Sequence, residues 1–233
     1  MSEKYGIIGA MEAEVLLLRE AMTVTRTASA AGMTFCEGTL DGRSVVVVQC
    51  GMGKVNAGIC AQTLIHLFGA TRVINTGVAG SLDPEMDIGD IVVSVDAVQH
   101  DYDVSPIGFA RGEIPYTGLF AFPADAALQQ AACEAVRRCA PEIVPRAGRV
   151  CSGDQFIVSD AQKKAIVSAF GGLCCEMEGA AIAQVCHLNS VPFVILRAIS
   201  DKADSEGSVS FEVFAAEAAK RCAAVVRDML AHL

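Results

Sequence analysis

Tryptophan is absent, and only three tyrosines occur in 233 residues. The 52% apolar content therefore rests mainly on Ala, Val, Ile and Leu, residues suited to helices packed on a sheet. No Lys or Arg run exceeds two residues and the net charge is −9, which excludes the basic footprint of a nucleic-acid or anionic-membrane binder. His66, His100, His187 and His232 are scattered, and no Cys-x-x-Cys pair occurs among the ten cysteines. The clustered ligands of a zinc site are thus missing, and the thiols read as reduced, buried small hydrophobes of a reducing compartment. No stretch is apolar enough to span a membrane: residues 179–196 carry no charge but include Gln184, His187, Asn189, Ser190 and Pro192. The opening apolar run is too short for a signal peptide, with Glu12 and Glu14 following at once, so a cytoplasmic protein is expected. Repeats, low-complexity tracts and linkers are also lacking, which predicts a single domain over 1–233.

What is present is an alternation of short β-rich runs and helical segments. Strands are predicted at 5–10, 33–40, 44–50, 72–76, 91–98, 146–151 and 193–200, with Asp41-Gly42 as a hairpin turn. Helices are predicted at 13–22, 55–68, 124–138, 161–170, 179–188 and 211–233, the last with Ser208 or Ser210 as N-cap. Residues 101–118 read as a long loop, and loops of that length are usually functional. Val45–Val48 and Phe193–Leu196 are apolar on both faces, as strands covered by helices on both sides must be. The fold class expected is α/β, a three-layer α/β/α sandwich with a central mixed sheet. Ligands in such folds bind beyond the carboxyl ends of strands.

Four strand ends carry unusual residues. Gly9 leads into Glu12 and Glu14, which a helix dipole alone would favour. Asn75-Thr76-Gly77-Val78-Ala79-Gly80 supplies two glycines where backbone must come close to something, a ligand or merely a tight turn. Gly51-Met52-Gly53-Lys54 is similar, and neither segment is a P-loop or a dinucleotide fingerprint. Glu176-Met177-Glu178 sets two acids in apolar surroundings, costly unless paired or used. Arg197 and Asp201 close an otherwise apolar strand, Asp201 as a turn cap or a catalytic acid.

Taken in succession, these segments, with Ser152–Ile157 and Ser210-Phe211, resemble the 5′-methylthioadenosine/S-adenosylhomocysteine nucleosidases of the nucleoside phosphorylase/hydrolase family, over nearly the whole chain. The resemblance implies hydrolysis of an adenine–ribose bond in 5′-substituted adenosines, including 5′-deoxyadenosine. It implies Asp201 as the acid that protonates N7, Glu14 as the base that activates water, and Arg197 beside it. Glu178 would accept from the ribose hydroxyls, with Met177 packed on the sugar and Glu176 supporting the segment. Adenine would lie against Phe156, its edge read by the backbone of Ile157, with Val78 near the water. Met11, Met52, Ile107, Pro115 and Phe211 would form the 5′ cleft, and Met52, Ile107 and Pro115 would come from a neighbouring subunit, implying a homodimer. No metal or organic cofactor is implied.

Position 78 is Val where many relatives carry Ser, and position 107 is Ile where an aromatic is usual. Three other readings share the fold. A phosphorylase would need cations for phosphate, and its relatives place Arg in the loops where this chain has Gly9–Glu14 and Thr76–Val78. An aminodeoxyfutalosine nucleosidase would use the same carboxylates with a wider 5′ cleft. A nucleoside-binding protein without catalysis would be expected to have lost Glu14, Glu178 or Asp201, and all three are present.

Overall fold

The structure, a computed structural model, describes residues 3–204 and 207–233. Strands buried along most of their length form its middle. β1 (Lys4–Gly9) lies parallel between β4 (Arg43–Gln49) and β5 (Arg72–Ser81). Successive side chains leave a strand on opposite faces, so alternate residues serve two cores. Ile8, Val46 and Val48 join the core covered by α2 (Lys54–Phe68) and α5 (Gly179–Leu188). Tyr5, Ile7, Val45 and Val47 join the core covered by α1 (Glu12–Ala21), α3 (Ala126–Cys139) and α6 (Gly207–His232). Helices on both faces of a mixed sheet are the layering the sequence predicts.

One side of the sheet goes further and closes on itself. β5 pairs in parallel with β10 (Phe193–Asp201), which runs antiparallel to β6 (Ile91–Gln99). β6 pairs in parallel with β8 (Arg146–Ser152), β8 with β9 (Cys174–Glu176), and β9 returns antiparallel to β5. These five strands make a ring, with the short β7 (Phe122–Pro123) paired to β6 and α4 (Asp160–Phe170) packed outside. Closure leaves that side no free edge.

On the other side β2 (Thr23–Ala30) and β3 (Met33–Leu40) extend the sheet as antiparallel strands beyond β4. The Asp41-Gly42 turn has φ of 47° and 84°, the doubly left-handed geometry of a tight hairpin. β2 is a correction to the sequence reading: its Thr-rich segment is largely exposed, and pairing with β3 rather than an apolar face makes it a strand. A second correction concerns β5, which runs through the whole Asn75–Gly80 motif to Ser81. The last helix starts at Gly207, so Ser208 and Ser210 fall inside it rather than ahead of it. The long loop after β6 carries a 3-10 turn, Ser105–Ile107, and otherwise little regular structure.

Candidate active site

Gly9 ends β1, the chain turns, and Glu14 falls in the first turn of α1. Its Oε2 accepts from the N–H of Ala10 at 2.6 Å and of Met11 at 2.9 Å. Its Oε1 accepts from the N–H of Val78 on β5 at 3.1 Å. Glu14 therefore caps its helix and is also aimed by a second strand, while only 4% exposed. Glu12, by contrast, is exposed and paired with Arg19 at 2.9 Å. Burial pushes the Glu14 carboxyl above the ordinary range, against Arg197 and the three amides that favour its charged form. A Cβ on Gly77 would lie 2.5 Å from Glu14 Oε1, so this glycine exists to make room for the carboxylate.

The two acids around Met177 have different fates. Glu176 forms a buried ion pair with Arg197 and accepts from Ser152 Oγ and from the N–H of Gly179, at 2.8 Å for Oε2. Burial would raise its pKa, but Arg197 and these donors hold it below the ordinary range. Arg197 also donates to Asn75 Oδ1 at 2.6 Å and is 2% exposed. Its charge is strongly retained: burial opposes it, but Glu176, Glu14 and Glu178 outweigh burial. Glu178 accepts from the N–H of Gly53 at 2.8 Å. Burial, then Glu176, pushes its pKa up to about 7.

Asp201 ends β10. Its Oδ1 accepts from the N–H of Ala203 at 2.9 Å and its Oδ2 from Ser200 Oγ at 2.9 Å. Burial raises its pKa, so the proton is held more firmly than on an ordinary Asp. A Cβ on Gly80 would stand 2.7 Å from Asp201 Oδ1, the same space-making relation as Gly77 to Glu14.

Glu14, Glu176, Glu178 and Asp201 meet at one cavity that opens to solvent, lined mainly by apolar side chains around a few polar groups as small-molecule sites are. The wall also includes Met11, Val78, Phe156, Ile157, Met177 and Phe211. Phe156 is 45% exposed and meets the Phe211 ring edge-on at 5.5 Å, one closing the rim against the other. Among the described residues the backbone N–H and C=O of Ile157 have no protein partner. Arg197 is absent from the wall and stands behind Glu14 and Glu176. Met52 lines this chain's own cavity. Ile107 and Pro115, which the resemblance assigns to a neighbouring subunit's cleft, are not on this chain's own wall, and Ile107 is 72% exposed.

Chemically, the wall offers carboxylates in contrasting states: one held charged by Arg197, and three with raised affinity for a proton. Pairs of acids tuned apart are what general acid and base roles require. No Lys, Arg or His lines the cavity among the described residues. Also on the wall, and given no role in advance, are Ser200, Gln155 and Cys175. The signal for Ser200 was its place directly before Asp201. Ser152 and Gly53 lie in segments that the sequence singles out, but their roles as donors to Glu176 and Glu178 are not legible there, because those partners lie 24 and 125 residues away.

Residues 4–231 match the model of the phosphorylase superfamily. A 5′-methylthioadenosine/S-adenosylhomocysteine nucleosidase from Shewanella loihica is 41% identical over 231 residues, covering 99% of this chain and 100% of its own. A nucleosidase of the same name from Neisseria meningitidis, solved with methylthio-immucillin-A, superposes with a TM-score of 0.95 at 38% identity, covering 99% of this chain and 100% of its own. A futalosine hydrolase from Helicobacter pylori superposes with a TM-score of 0.94 at 34% identity, covering 100% and 99%.

Proposed function

The chain belongs to the phosphorylase superfamily, and on that premise we propose that it hydrolyses the N-glycosidic bond of 5′-methylthioadenosine and S-adenosylhomocysteine, and of 5′-deoxyadenosine, releasing adenine and the 5′-substituted ribose. The observation that carries this reading is the convergence of Glu14, Glu178 and Asp201, from three separate strand ends, on one cavity whose described wall holds no cation. A phosphate nucleophile would need such a cation; a water does not.

Breaking the bond requires a proton on the leaving base, tolerance of positive charge on the ribose, and a water aimed at the anomeric carbon. Asp201, on the cavity wall and with raised proton affinity, delivers the proton toward N7 of the purine. Glu14, gripped by three amides, accepts the proton of the attacking water, and its raised pKa makes it a stronger base. This is the acid-and-base division of inverting glycosidases. Glu178 takes the ribose hydroxyls, and the negative field of the carboxylates favours an oxocarbenium-like transition state. Arg197 acts at one remove, holding Glu176 and balancing Glu14. Phe156 faces the purine and the unpaired backbone of Ile157 reads its edge. Met177 packs on the sugar, Val78 lies beside the water, and Met11, Met52 and Phe211 flank the 5′ substituent.

The whole chain acts as one nucleosidase domain, working as a homodimer in which the partner's loop brings its Ile107 and Pro115 to the 5′ cleft. Supporting this, Val55 and Leu67 of α2, Ile107 and Tyr116 are all more than two-thirds exposed. A cytoplasmic location agrees with ten free thiols, and among the described residues no helix is long and apolar enough to cross a membrane. The likeness to a futalosine hydrolase supports aminodeoxyfutalosine as the second substrate class to test.

The test is release of adenine from methylthioadenosine in phosphate-free buffer, run alongside the other candidate substrates. Asp201→Asn and Glu14→Gln should abolish release with the circular dichroism spectrum unchanged. A strict requirement for phosphate would assign the chain to the phosphorylases instead.

A further inference from the structure

Three charged side chains that stay off the cavity wall are linked between the two segments flanking it. Lys54 Nζ donates to Asp101 Oδ1 at 2.6 Å and to Gln99 Oε1 at 3.0 Å. Asp101 Oδ2 accepts from the N–H of Asp154 at 2.9 Å, and Asp154 Oδ1 accepts from the N–H of Lys54 at 2.8 Å. The bonds thus form a closed circuit, from the Lys54 side chain through Asp101 and Asp154 back to the Lys54 backbone. Gln99 extends it to α5 by donating to Gln184 Oε1 at 2.6 Å.

An exposed ion pair would count for little. The Lys54–Asp101 pair is shielded, with side chains 17% and 16% exposed, and although Asp154 is itself exposed every member of the circuit answers another. Its position gives it a task. Lys54 follows Gly53, whose N–H holds Glu178. Asp154 comes just ahead of Phe156 and Ile157. At Gly53 φ is +96°, and a Cβ would lie 3.1 Å from Asp154 Oδ1, so the two segments meet there at a distance only glycine permits without strain.

We propose that Lys54, Asp101 and Asp154 are positioning residues for the reaction: a clamp that keeps the Gly53 N–H on Glu178 and the Phe156–Ile157 segment over the base, so that the sugar and base halves of the site are set by one circuit. The assignment of sugar and base halves rests on the function proposed above. The clamp touches no substrate and acts through Gly53 and the 153–157 segment.

The experiment compares Lys54→Met, Asp154→Ala, Asp154→Asn and the double variant Lys54→Met/Asp154→Ala, measuring kcat, KM and the pH profile of adenine release. Loosening the clamp should raise KM roughly tenfold with a smaller loss of kcat, because binding geometry rather than the proton donor is disturbed. The acid limb of kcat/KM should move up by about half a pH unit or more, since Glu178 loses an N–H that favours its charged form. Glu176, Glu14, Arg197 and Cys50, the other ionisable groups acting on Glu178, keep their places. Asp154→Asn retains the acceptor oxygen and should stay within about threefold of the parent. The double variant should be no worse than its worse parent, as for one shared circuit.

A role in stability alone would lower the melting temperature and leave the acid limb and KM unmoved; that result, or additive losses in the double variant, overturns the proposal. If Lys54→Met does not fold, Asp101→Asn gives the same readouts. If the parent protein releases no adenine, the functional reading fails separately. Amide hydrogen exchange at Gly53 and Lys54 then decides: protection lost in Asp154→Ala upholds the clamp, and protection unchanged refutes it.

Discussion

Replacing Gly77 by Ala adds one methyl group to β5, and its effect can be worked out from the structure. Gly77 is not at positive φ, so an alanine backbone is accommodated there. Taken alone, the change would stabilise the fold by about 0.5–1 kcal/mol through reduced freedom of the unfolded chain. The methyl would, however, stand 2.5 Å from Glu14 Oε1 and 3.2 Å from Arg197 Nη1. Ordinary contact begins near 3.4 Å, so the carboxylate must retreat by about 0.9 Å. Oε1 is the atom that accepts from Val78, and this bond breaks first. Losing one charge-assisted bond to a buried carboxylate costs about 1–3 kcal/mol, which leaves a net destabilisation of up to about 2.5 kcal/mol. For a chain of this size that lowers the melting temperature by a few degrees. Catalysis suffers far more, since a base misplaced by about 1 Å costs on the order of 100-fold in rate. The assay is adenine release from methylthioadenosine at saturating substrate, beside a thermal melt. A Gly77→Ala enzyme with kcat within threefold of its parent would refute the argument that this glycine exists to seat Glu14.

Glu178, with a pKa near 7, must be ionised to accept from ribose hydroxyls, so kcat/KM should fall as pH drops through about 7, and Glu178→Gln should erase that limb. Because its native pKa lies above the ordinary 4.5, the folded state holds the extra proton between those values. Stability is therefore lost as pH rises from about 4.5 to about 7, by roughly 3 kcal/mol, and Glu178→Gln should raise the melting temperature more at pH 7.5 than at pH 5. Arg197→Met leaves Glu176 and Glu14 buried without their cation and should cost about 3–5 kcal/mol in urea denaturation; a loss below 1 kcal/mol would mean the ion pair is replaceable. Val55→Asp, on the exposed face of α2, should convert a dimer into monomers in sedimentation velocity, and a monomeric parent protein would refute the dimer.

The segments that build the site are legible in the sequence for identifiable reasons. Strand ends next to glycines and acids stand out because charge is rare in apolar segments, which singles out Glu12, Glu14, Glu176, Glu178 and Asp201 together; the choice of Glu14, Glu178 and Asp201 among them comes from the family resemblance. Two-sided burial of Val45–Val48 was legible because a strand covered by helices on both faces cannot alternate with polar residues. β2 was not, since its Thr-rich segment has no apolar periodicity and depends on the pairing partner that β3 supplies.

The linear chain thus settled the residue chemistry: which acids lie in apolar surroundings, which glycines adjoin them, and that cations are scarce where those acids cluster. Only the tertiary structure decided how the acids divide their work. Glu176 and Glu178 are two residues apart, yet one faces Arg197 and Ser152 while the other faces the Gly53 N–H. It also placed Arg197 behind the wall and Met52 on it. A carboxylate's proton affinity depends on the charges and donors within a few ångströms. For this protein those neighbours come from strands and loops far apart in sequence, so closing the ring of strands is what differentiates otherwise equivalent side chains.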